Sequence, residues 1–266
     1  LIDLGQKDFL MVHPLVITYN ATMGQPWYQE KYKFKTNEVP LDTFYLSVEE
    51  LEDYIVEKTY AVVETESAPS DAVLRGHLLS HLIIVLYYYG WGHYLLEYLN
   101  NKYGYKHIDV AEKMLDYFIN SDNLVGSELR KTNNSLIDVF ENGKFWGRQV
   151  LGDDDIFWEY KGATSIIFSK NRETLKWELI EFCKEEYNLD IEDVVSFNMD
   201  MCRDYEYSYP IKKQYLEDTI KYCTGLDSTT INITHWDSEE LTPLEFYHRA
   251  YHYQRKNRYW RNSIFI

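Results

Sequence analysis

The chain has 266 residues, and its 43 acidic residues against 27 Lys and Arg residues give a formal net charge of -16. Acidic residues are spread along the chain, whereas nucleic acid and anionic membranes require clustered Lys and Arg, so we expect neither partner. The one basic concentration, at residues 249–261, is interpreted as a solvated face. The length is ample for a sizeable core, and 25 tyrosines supply large buried area together with hydroxyl groups that need partners.

The first 45 residues are predicted to hold a strand and a connector. Residues 9–19, FLMVHPLVITY, are apolar and β-branched, which is typical of a buried strand interrupted by Pro14. No partner strand is evident nearby, so we expect its neighbours in sequence that this chain lacks. Residues 26–45 are aromatic and charged with little periodicity and are interpreted as a connector. The capping box SVEE, which begins at Ser47, predicts a helix over residues 48–64.

The most apolar part of the chain is residues 74–99, LRGHLLSHLIIVLYYYGWGHYLLEYL. Apolar side chains occupy nearly all faces of a helix here, which predicts a buried central helix. A membrane span would be a run of about 20 residues with few polar interruptions. Polar residues and glycines interrupt this run at Ser80, His81, Gly90, Gly92 and His93. We therefore favour the core of a helical domain, in which the two glycines mark a kink, a close contact or a boundary between helices.

Amphipathic patterns predict further helices over residues 106–120, 123–142, 171–187 and 191–203. Ser169 is the predicted cap of the third, and glycines with the acidic run at 153–155 predict a loop over 143–155. Nearer the C-terminus, alternating residues predict a short strand over 229–236, and Pro243 begins a predicted helix over 242–259. The predicted fold is mainly α, a multi-helical domain around a central apolar helix, with minor β at the N-terminus and near 229–236. The predicted domains are 1–45 and 46–266.

The three cysteines, Cys183, Cys202 and Cys223, match no usual zinc or cluster spacing. Reduced thiols are typical of a cytoplasmic protein. The chain opens with no charged segment before an apolar one, so we expect no signal peptide. A cytoplasmic location is the resulting prediction.

Two pairs of histidines have the spacing of a helical metal pair, His77 with His81 and His248 with His252. A carboxylate from another element would have to complete such a site. We interpret the first pair as core histidines that line a pocket, and a metal-dependent helical enzyme remains the weaker alternative. The sequence contains no GxSxG, Walker or GxGxxG motif, which gives little support to hydrolase or nucleotide-binding functions.

Three stretches carry a resemblance to one enzyme family. The opening VHPLVITYNATMGQPWYQEKYKFKT, residues 12–36, resembles the last barrel strand and following loop of cobalamin-dependent radical S-adenosylmethionine enzymes. ETLKWELIEFCKEEY at 173–187 and DVVSFNMDMCRDYEYSYP at 193–210 are similar to helices of the C-terminal region in that family. LEFYHRAYHYQRKNRYWRN at 244–262 resembles its closing arginine-rich helix.

The resemblance implies that this chain is the C-terminal region of a larger enzyme and shapes the substrate pocket at the mouth of the barrel. The family's CxxxCxxC motif, which holds an iron–sulfur cluster, and its cobalamin-binding domain are absent from the chain. We therefore expect no catalysis and no cofactor in this chain. S-adenosylmethionine, the iron–sulfur cluster and cobalamin would belong to the full-length enzyme.

The implied partners are the upstream radical SAM barrel and a small-molecule or peptide substrate. The candidate substrate-pocket residues are Asn20, Trp27, Tyr28, His77 and His81. The alternative is a free-standing helical module that binds a ligand in a tyrosine-rich pocket or interacts with another protein.

Overall fold

A computed structural model describes residues 2–4, 15–18, 20–40, 57–144, 147–150 and 153–202. The predicted strand at 229–236, the predicted helix at 242–259, the basic concentration at 249–261 and Cys223 lie outside these ranges. The fold is mainly helical, 67% helix against 12% strand, with a small antiparallel sheet near the N-terminus. The predicted fold class is thereby confirmed.

Two compact units make up the chain. Of the described residues, unit 1 contains 2–4, 83–124 and 165–202, and unit 2 contains 15–18, 20–40, 57–82, 125–144, 147–150 and 153–164. This division differs from the predicted domains, because residues on both sides of the predicted boundary at 45/46 belong to unit 2.

Unit 2 contains a three-stranded antiparallel sheet of order β1-β3-β2. Its strands are β1 Val16–Ile17, β2 Lys35–Pro40 and β3 Lys58–Glu64. Val16 lies opposite Ala61, and Ala61 also lies opposite Asn37. One neighbour of β1 is thus within this chain, so the expectation that its neighbours lie in missing sequence is wrong for that side.

The predicted helix over 48–64 is wrong at 58–64, and its residues 48–56 lie outside the described ranges. KTYAVVE is rich in β-branched and aromatic residues, and neighbours on both sides bury Ala61 and Val62. Pairing with β1 and β2 therefore sets the conformation of residues 58–64. The predicted connector at 26–45 also contains structure, since β2 follows a short helix, α1 Pro26–Lys31, whose first residue is a proline suited to that position.

The remaining β structure is a pair of antiparallel strands, β4 Arg148–Val150 and β5 Asp153–Trp158. The loop predicted over 143–155 is therefore wrong at 148–150 and 153–155. Buried Val150 and Trp158 anchor these strands, so the acidic run at 153–155 belongs to a strand.

The central apolar segment forms α2 Ser70–Ile83, a π-helical turn Ile84–Tyr88, and then α3 His93–Tyr103. For Gly90 and Gly92 the sequence left open a kink, a close contact or a boundary between helices. The structure shows a boundary between two helices at this point. Gly90 has φ +95°, which favours glycine. Asn198 stabilises this break, because its Oδ1 accepts the Tyr94 N–H at 2.8 Å and its Nδ2 donates to the Trp91 carbonyl at 2.8 Å.

The other helices are α4 His107–Ile119, α5 Leu124–Asn142, α6 Tyr160–Lys170, α7 Arg172–Tyr187 and α8 Glu192–Met201. Four of them confirm the predicted helices to within two residues at each end. The prediction missed α6, which contains Ser169, so this serine does not cap α7 as predicted. Asn171 directly precedes α7 instead.

Each unit has its own apolar core. In unit 2 the core comprises Val39, Ala61, Leu136, Val139, Phe140 and Tyr160. In unit 1 the fully buried side chains include Tyr87, Leu95, Phe118, Phe182 and Phe197. Within the described ranges, no single helix has both the length and the apolar composition needed to cross a membrane. Ser70–Tyr88 and His93–Tyr103 satisfy those criteria only as a pair, and the pair is bent by 91°.

Candidate functional site

Four of the five predicted pocket residues form two pairs. The fifth, Asn20, lies in an exposed turn. Trp27 and Tyr28 are on α1, with ring centroids 5.5 Å apart, and Trp27 is 56% exposed. His77 and His81 lie one turn apart on α2. His81 is buried, and the ring of His77 packs 5.2 Å from that of Phe140. Binding of substrate by these five residues stays a prediction.

A polar cluster within unit 2 surrounds His81. Helix α2 supplies two histidines, and helix α5 supplies a glutamate and a threonine one turn apart. Strand β4 supplies an arginine, and the N-terminal half of α6 supplies a lysine and a threonine. We call it the His81 cluster, and it consists of His77, His81, Glu128, Thr132, Arg148, Lys161 and Thr164.

The packing of α5 explains why polar side chains are buried here. Glu128, Thr132, Leu136 and Phe140 follow one another at steps of four residues and therefore share one face of the helix. All four side chains are buried. The C-terminal half of this face contributes to the apolar core of unit 2, and the N-terminal half brings a carboxylate and a hydroxyl into the same interior.

Glu128 is held by two cations. Its Oε2 accepts a hydrogen bond from Arg148 Nη2, and its Oε1 lies 2.9 Å from Lys131 Nζ. A carboxylate with 1% exposed side-chain surface is stable as an ion only with such pairing. The ion pair in turn fixes the guanidinium group of Arg148 beside α6.

A chain of hydrogen bonds leads from this ion pair to His81. Arg148 Nη2 lies 3.5 Å from Thr164 Oγ1, and Thr164 Oγ1 lies 3.3 Å from His81 Nε2. Arginine can only donate, so the Thr164 oxygen accepts from Arg148 and its own proton is available to His81 Nε2. The Thr164 oxygen has two lone pairs and can also accept from an Nε2–H, so this contact is compatible with either tautomer of the neutral imidazole.

The environment keeps both histidines neutral. Burial lowers the pKa of His81 to about 3, and the positive charges of Lys161 and Arg148 add to the effect. Burial lowers the pKa of His77 to about 4, again with a contribution from Lys161. Lys161 is itself paired with Glu159. At neutral pH the cluster therefore contains uncharged imidazoles in a field of cations.

Three buried atoms of the cluster have no hydrogen-bond partner among the residues that the structure describes. They are His81 Nδ1, Thr132 Oγ1 and Arg148 Nε. A buried polar group left unpaired costs about 1–3 kcal/mol, and such groups are rare in folded proteins. Arg148 Nε and the Thr132 hydroxyl are donors, whereas His81 Nδ1 is a donor in one tautomer and an acceptor in the other.

Cys183 and Cys202 do not suit an iron–sulfur cluster. Burial raises the pKa of each thiol to about 12, and Cys202 Sγ donates to the Gly90 carbonyl at 2.8 Å. Cluster ligation requires thiolates. In the described part of the chain, no group of three or more His, Cys, Asp or Glu residues is arranged to hold a metal ion.

Unit 1 contains a second histidine environment. Asp3 Oδ1 accepts the backbone N–H of His107 at 2.8 Å and lies 2.7 Å from the ring Nδ1. On the other side of the ring, His107 Nε2 lies 3.4 Å from Glu97 Oε1, which also accepts the Tyr87 hydroxyl at 2.6 Å. Burial lowers the pKa of His107, but the adjacent carboxylates of Glu97 and Asp3 outweigh this effect and raise the pKa above its ordinary value.

Sequence reasoning found His77 and His81 but missed their polar neighbours, Glu128, Thr132, Arg148 and Thr164. A signal for two of them was present, because Glu128 and Thr132 interrupt the apolar face of a strongly amphipathic helix. Arg148 and Thr164 left no such signal, since their elements were predicted as a loop or were missed.

Comparison with known proteins gives no assignment: no protein-family model matches the chain, and no curated protein matches it. The resemblance to cobalamin-dependent radical SAM enzymes stays a prediction. The contacts of the His81 cluster are the structural basis for the proposal that follows.

Proposed function

We propose that this chain binds a substrate and does not transform it, as the C-terminal, substrate-shaping region of a cobalamin-dependent radical SAM enzyme. The observation that carries the proposal is the set of buried, unpartnered polar atoms at His81, Thr132 and Arg148. Ligand sites combine an apolar lining with a few fixed polar groups, and the His81 cluster adjoins the apolar core of unit 2 through Phe140. The resemblance at residues 12–36 and 173–210 supplies the enzyme context.

The protonation state of the cluster favours binding over catalysis. Thr164 and His81 have the order of a nucleophile and its base, but a base with a pKa of about 3 is poorly matched to neutral pH. An imidazole that stays neutral orients a ligand without transferring protons.

In this proposal the cofactors belong to other parts of the enzyme. S-adenosylmethionine, the iron–sulfur cluster and cobalamin would be held by the upstream barrel and the cobalamin domain. This assignment agrees with the protonated, buried thiols of Cys183 and Cys202. Free thiols also support a cytoplasmic location for the enzyme.

Strand β1 offers a place for the upstream barrel to meet this chain. Among the described strands β1 lies at the edge of its sheet, with β3 on one side. The other edge presents backbone groups with which a further strand could pair. We propose the radical SAM barrel and a small-molecule or peptide substrate as partners, and neither nucleic acid nor a membrane.

The coding sequence upstream of Leu1 tests the enzyme context. We expect it to encode a cobalamin-type domain followed by a barrel with CxxxCxxC. A start codon directly before Leu1 would contradict this part of the proposal. In that case the second candidate, a free-standing ligand-binding or protein-interaction module, would be favoured.

The second candidate is supported by the location of the cluster residues within a single unit of the chain. Every residue of the His81 cluster lies between His77 and Thr164 and belongs to unit 2. The cluster therefore needs no residue from an additional domain. Size-exclusion chromatography of the full chain with light scattering, at equal concentrations with and without a separately produced barrel, distinguishes a free-standing module from a region that requires a partner.

A further inference from the structure

A short segment of unit 1 is docked on helix α4 through one charged side chain. Residues Ile2–Leu4 form a 3-10 helix, in which the side chain of Ile2 is buried and the Asp3 carboxylate contacts the N-terminus of α4. We propose that this segment is a pH-sensitive latch, which is held on α4 while the His107 ring is charged and detaches when the ring is neutral. The inference does not depend on the proposed function or on the His81 cluster.

The Asp3 carboxylate makes two kinds of contact with α4. It accepts the backbone N–H groups of His107 at 2.8 Å and Ile108 at 3.4 Å, which belong to the first turn of the helix and have no acceptor within it. The same carboxylate lies 2.7 Å from the ring Nδ1 of His107. The docking of residues 2–4 is therefore linked directly to the charge of this ring.

Both nitrogens of the His107 ring face carboxylates. On the side opposite to Asp3, Nε2 lies 3.4 Å from Oε1 of Glu97, which belongs to α3. Ionised carboxylates only accept, and only the protonated ring presents an N–H to each of them. Loss of the ring proton leaves two negative groups on either side of a neutral ring, so their mutual repulsion is no longer compensated. The docked arrangement is therefore suited to the charged ring.

The other titratable groups around this ring come from the π-helical turn, α3 and α4. The Tyr87 ring packs 5.3 Å from the His107 ring, and its hydroxyl donates to Glu97 at 2.6 Å. His93 packs 4.4 Å from the Tyr87 ring, and Asp109 adds a negative charge in the first turn of α4. Burial opposes the charge of His107, but the adjacent carboxylates outweigh burial and hold its pKa above its ordinary value. The charge that favours docking is lost as the pH rises through this raised pKa.

Residues 2–4, rather than Glu97, are expected to move when the charge is lost. Glu97 is a buried residue of an 11-residue helix, whereas Asp3 is 22% exposed and lies in a three-residue element. Local opening of so short a segment costs much less than unfolding of the whole unit. Detachment would expose Ile2 and open the His107 and Ile108 amides to solvent, while the rest of unit 1 stays folded.

Amide hydrogen exchange of the full chain between pH 5.5 and pH 9 tests the latch. The reporters are the amides of His107 and Ile108, and the amide of Leu115 in the interior of α4 is the internal reference. Dividing the intrinsic exchange rate at each pH by the observed rate gives a protection factor that is corrected for base catalysis. We expect the protection factors of both reporters to fall about fivefold as the pH rises, which is the scale of a partly exposed ion pair. The protection factor of Leu115 should stay constant.

Three variants assign the change to the ion pair. Asp3→Asn keeps an oxygen for the cap without its charge, and His107→Gln supplies a side chain that is neutral at every pH. We expect both to show, throughout the pH range, the low protection that the wild type reaches at pH 9. Asp109→Asn removes an exposed charge from the same turn of α4, so it is the matched control and should keep the fivefold change. If His107→Gln fails to fold, Asp3→Asn still decides the test.

Any of three results would overturn the inference. The first is protection of the His107 and Ile108 amides that does not change with pH in the wild type. The second is an equal fall in Asp3→Asn, which would assign the change to another group. The third is a parallel fall at Leu115, because unit 1 would then open as a whole. None of these results bears on the His81 cluster or on the coding sequence upstream of Leu1.

Discussion

Replacement of Asp3 should reveal a pH-dependent contribution of the His107 environment to the stability of unit 1. Asp3 accepts two backbone N–H groups at the start of α4, from His107 at 2.8 Å and Ile108 at 3.4 Å, and also contacts the His107 ring. Asp3→Ala removes the cap and the ion pair. Asp3→Asn keeps an oxygen for the cap and removes only the charge, so the two variants separate the contributions.

The expected magnitudes follow from these contacts. Loss of a helix cap costs about 1 kcal/mol, and an ion pair that is partly open to solvent contributes up to about 1 kcal/mol. Asp3→Ala should therefore lower the free energy of unfolding by about 2 kcal/mol at pH 5.5, and Asp3→Asn by about 1 kcal/mol. The side chain of Asp3 is 22% exposed, which is the reason for the modest ion-pair value.

The pH dependence has a definite sign. The pKa of His107 is raised in the folded state, mainly by Glu97 and Asp3 against the effect of burial, so its contribution is fully present below its unfolded pKa of about 6.5. That contribution is lost as the pH rises through the folded pKa. The pKa of Asp3 is lowered, because its hydrogen bonds to His107 and Ile108 outweigh burial, so its contribution is present above the ordinary value of 3.8. The charge-dependent part is therefore largest between about pH 4 and pH 6.5.

Urea denaturation of the wild type and both variants at pH 5.5 and pH 9 measures these contributions. Comparison at equal pH cancels the titration of other groups. We expect the effect of Asp3→Asn to fall towards zero at pH 9, while Asp3→Ala retains the cap contribution of about 1 kcal/mol. An Asp3→Asn effect of the same size at both pH values would refute the reasoning, because the ion pair would then contribute nothing.

Three further predictions concern the His81 cluster and the helix break. Nitrogen-15 NMR spectra of the histidine rings should show His81 neutral at every pH above 5, because burial lowers its pKa to about 3; titration near pH 6.5 would contradict this state. Glu128→Gln leaves the Arg148 charge without its carboxylate and should cost about 3–5 kcal/mol in urea unfolding, whereas Glu66→Gln in an exposed pair should cost under about 1 kcal/mol. Gly90→Ala places a side chain at φ +95° and should destabilise by about 1–3 kcal/mol, so a neutral effect in the same assay would show that the turn relaxes without strain.

Helical periodicity was informative wherever a helix buries one face. Helices α4, α5, α7 and α8 lie within two residues of their predicted ends, because their apolar positions recur along a single stripe. Residues 58–64 and 153–158 form strands, which local patterns did not predict. Their strand conformation depends on pairing with distant residues, such as Ala61 with Val16, and a local capping box or acidic run carries no information about that pairing.

The candidate site was only half accessible to sequence reasoning for a related reason. The spacing of His77 and His81 is local, and it correctly placed the pair on one helix. The groups that define the chemistry of His81 come from elements far along the chain, with Thr164 separated from it by 83 residues. Only the fold brings such residues into contact, so spacing could suggest a histidine pair but not its partners.

The two histidine environments show how neighbours decide chemistry that residue type leaves open. His107 lies between the carboxylates of Asp3 and Glu97, and these raise its pKa. His81 lies near the cations of Arg148 and Lys161, which deepen the pKa depression caused by burial. One imidazole therefore contributes charge to unit 1, while the other remains neutral in unit 2.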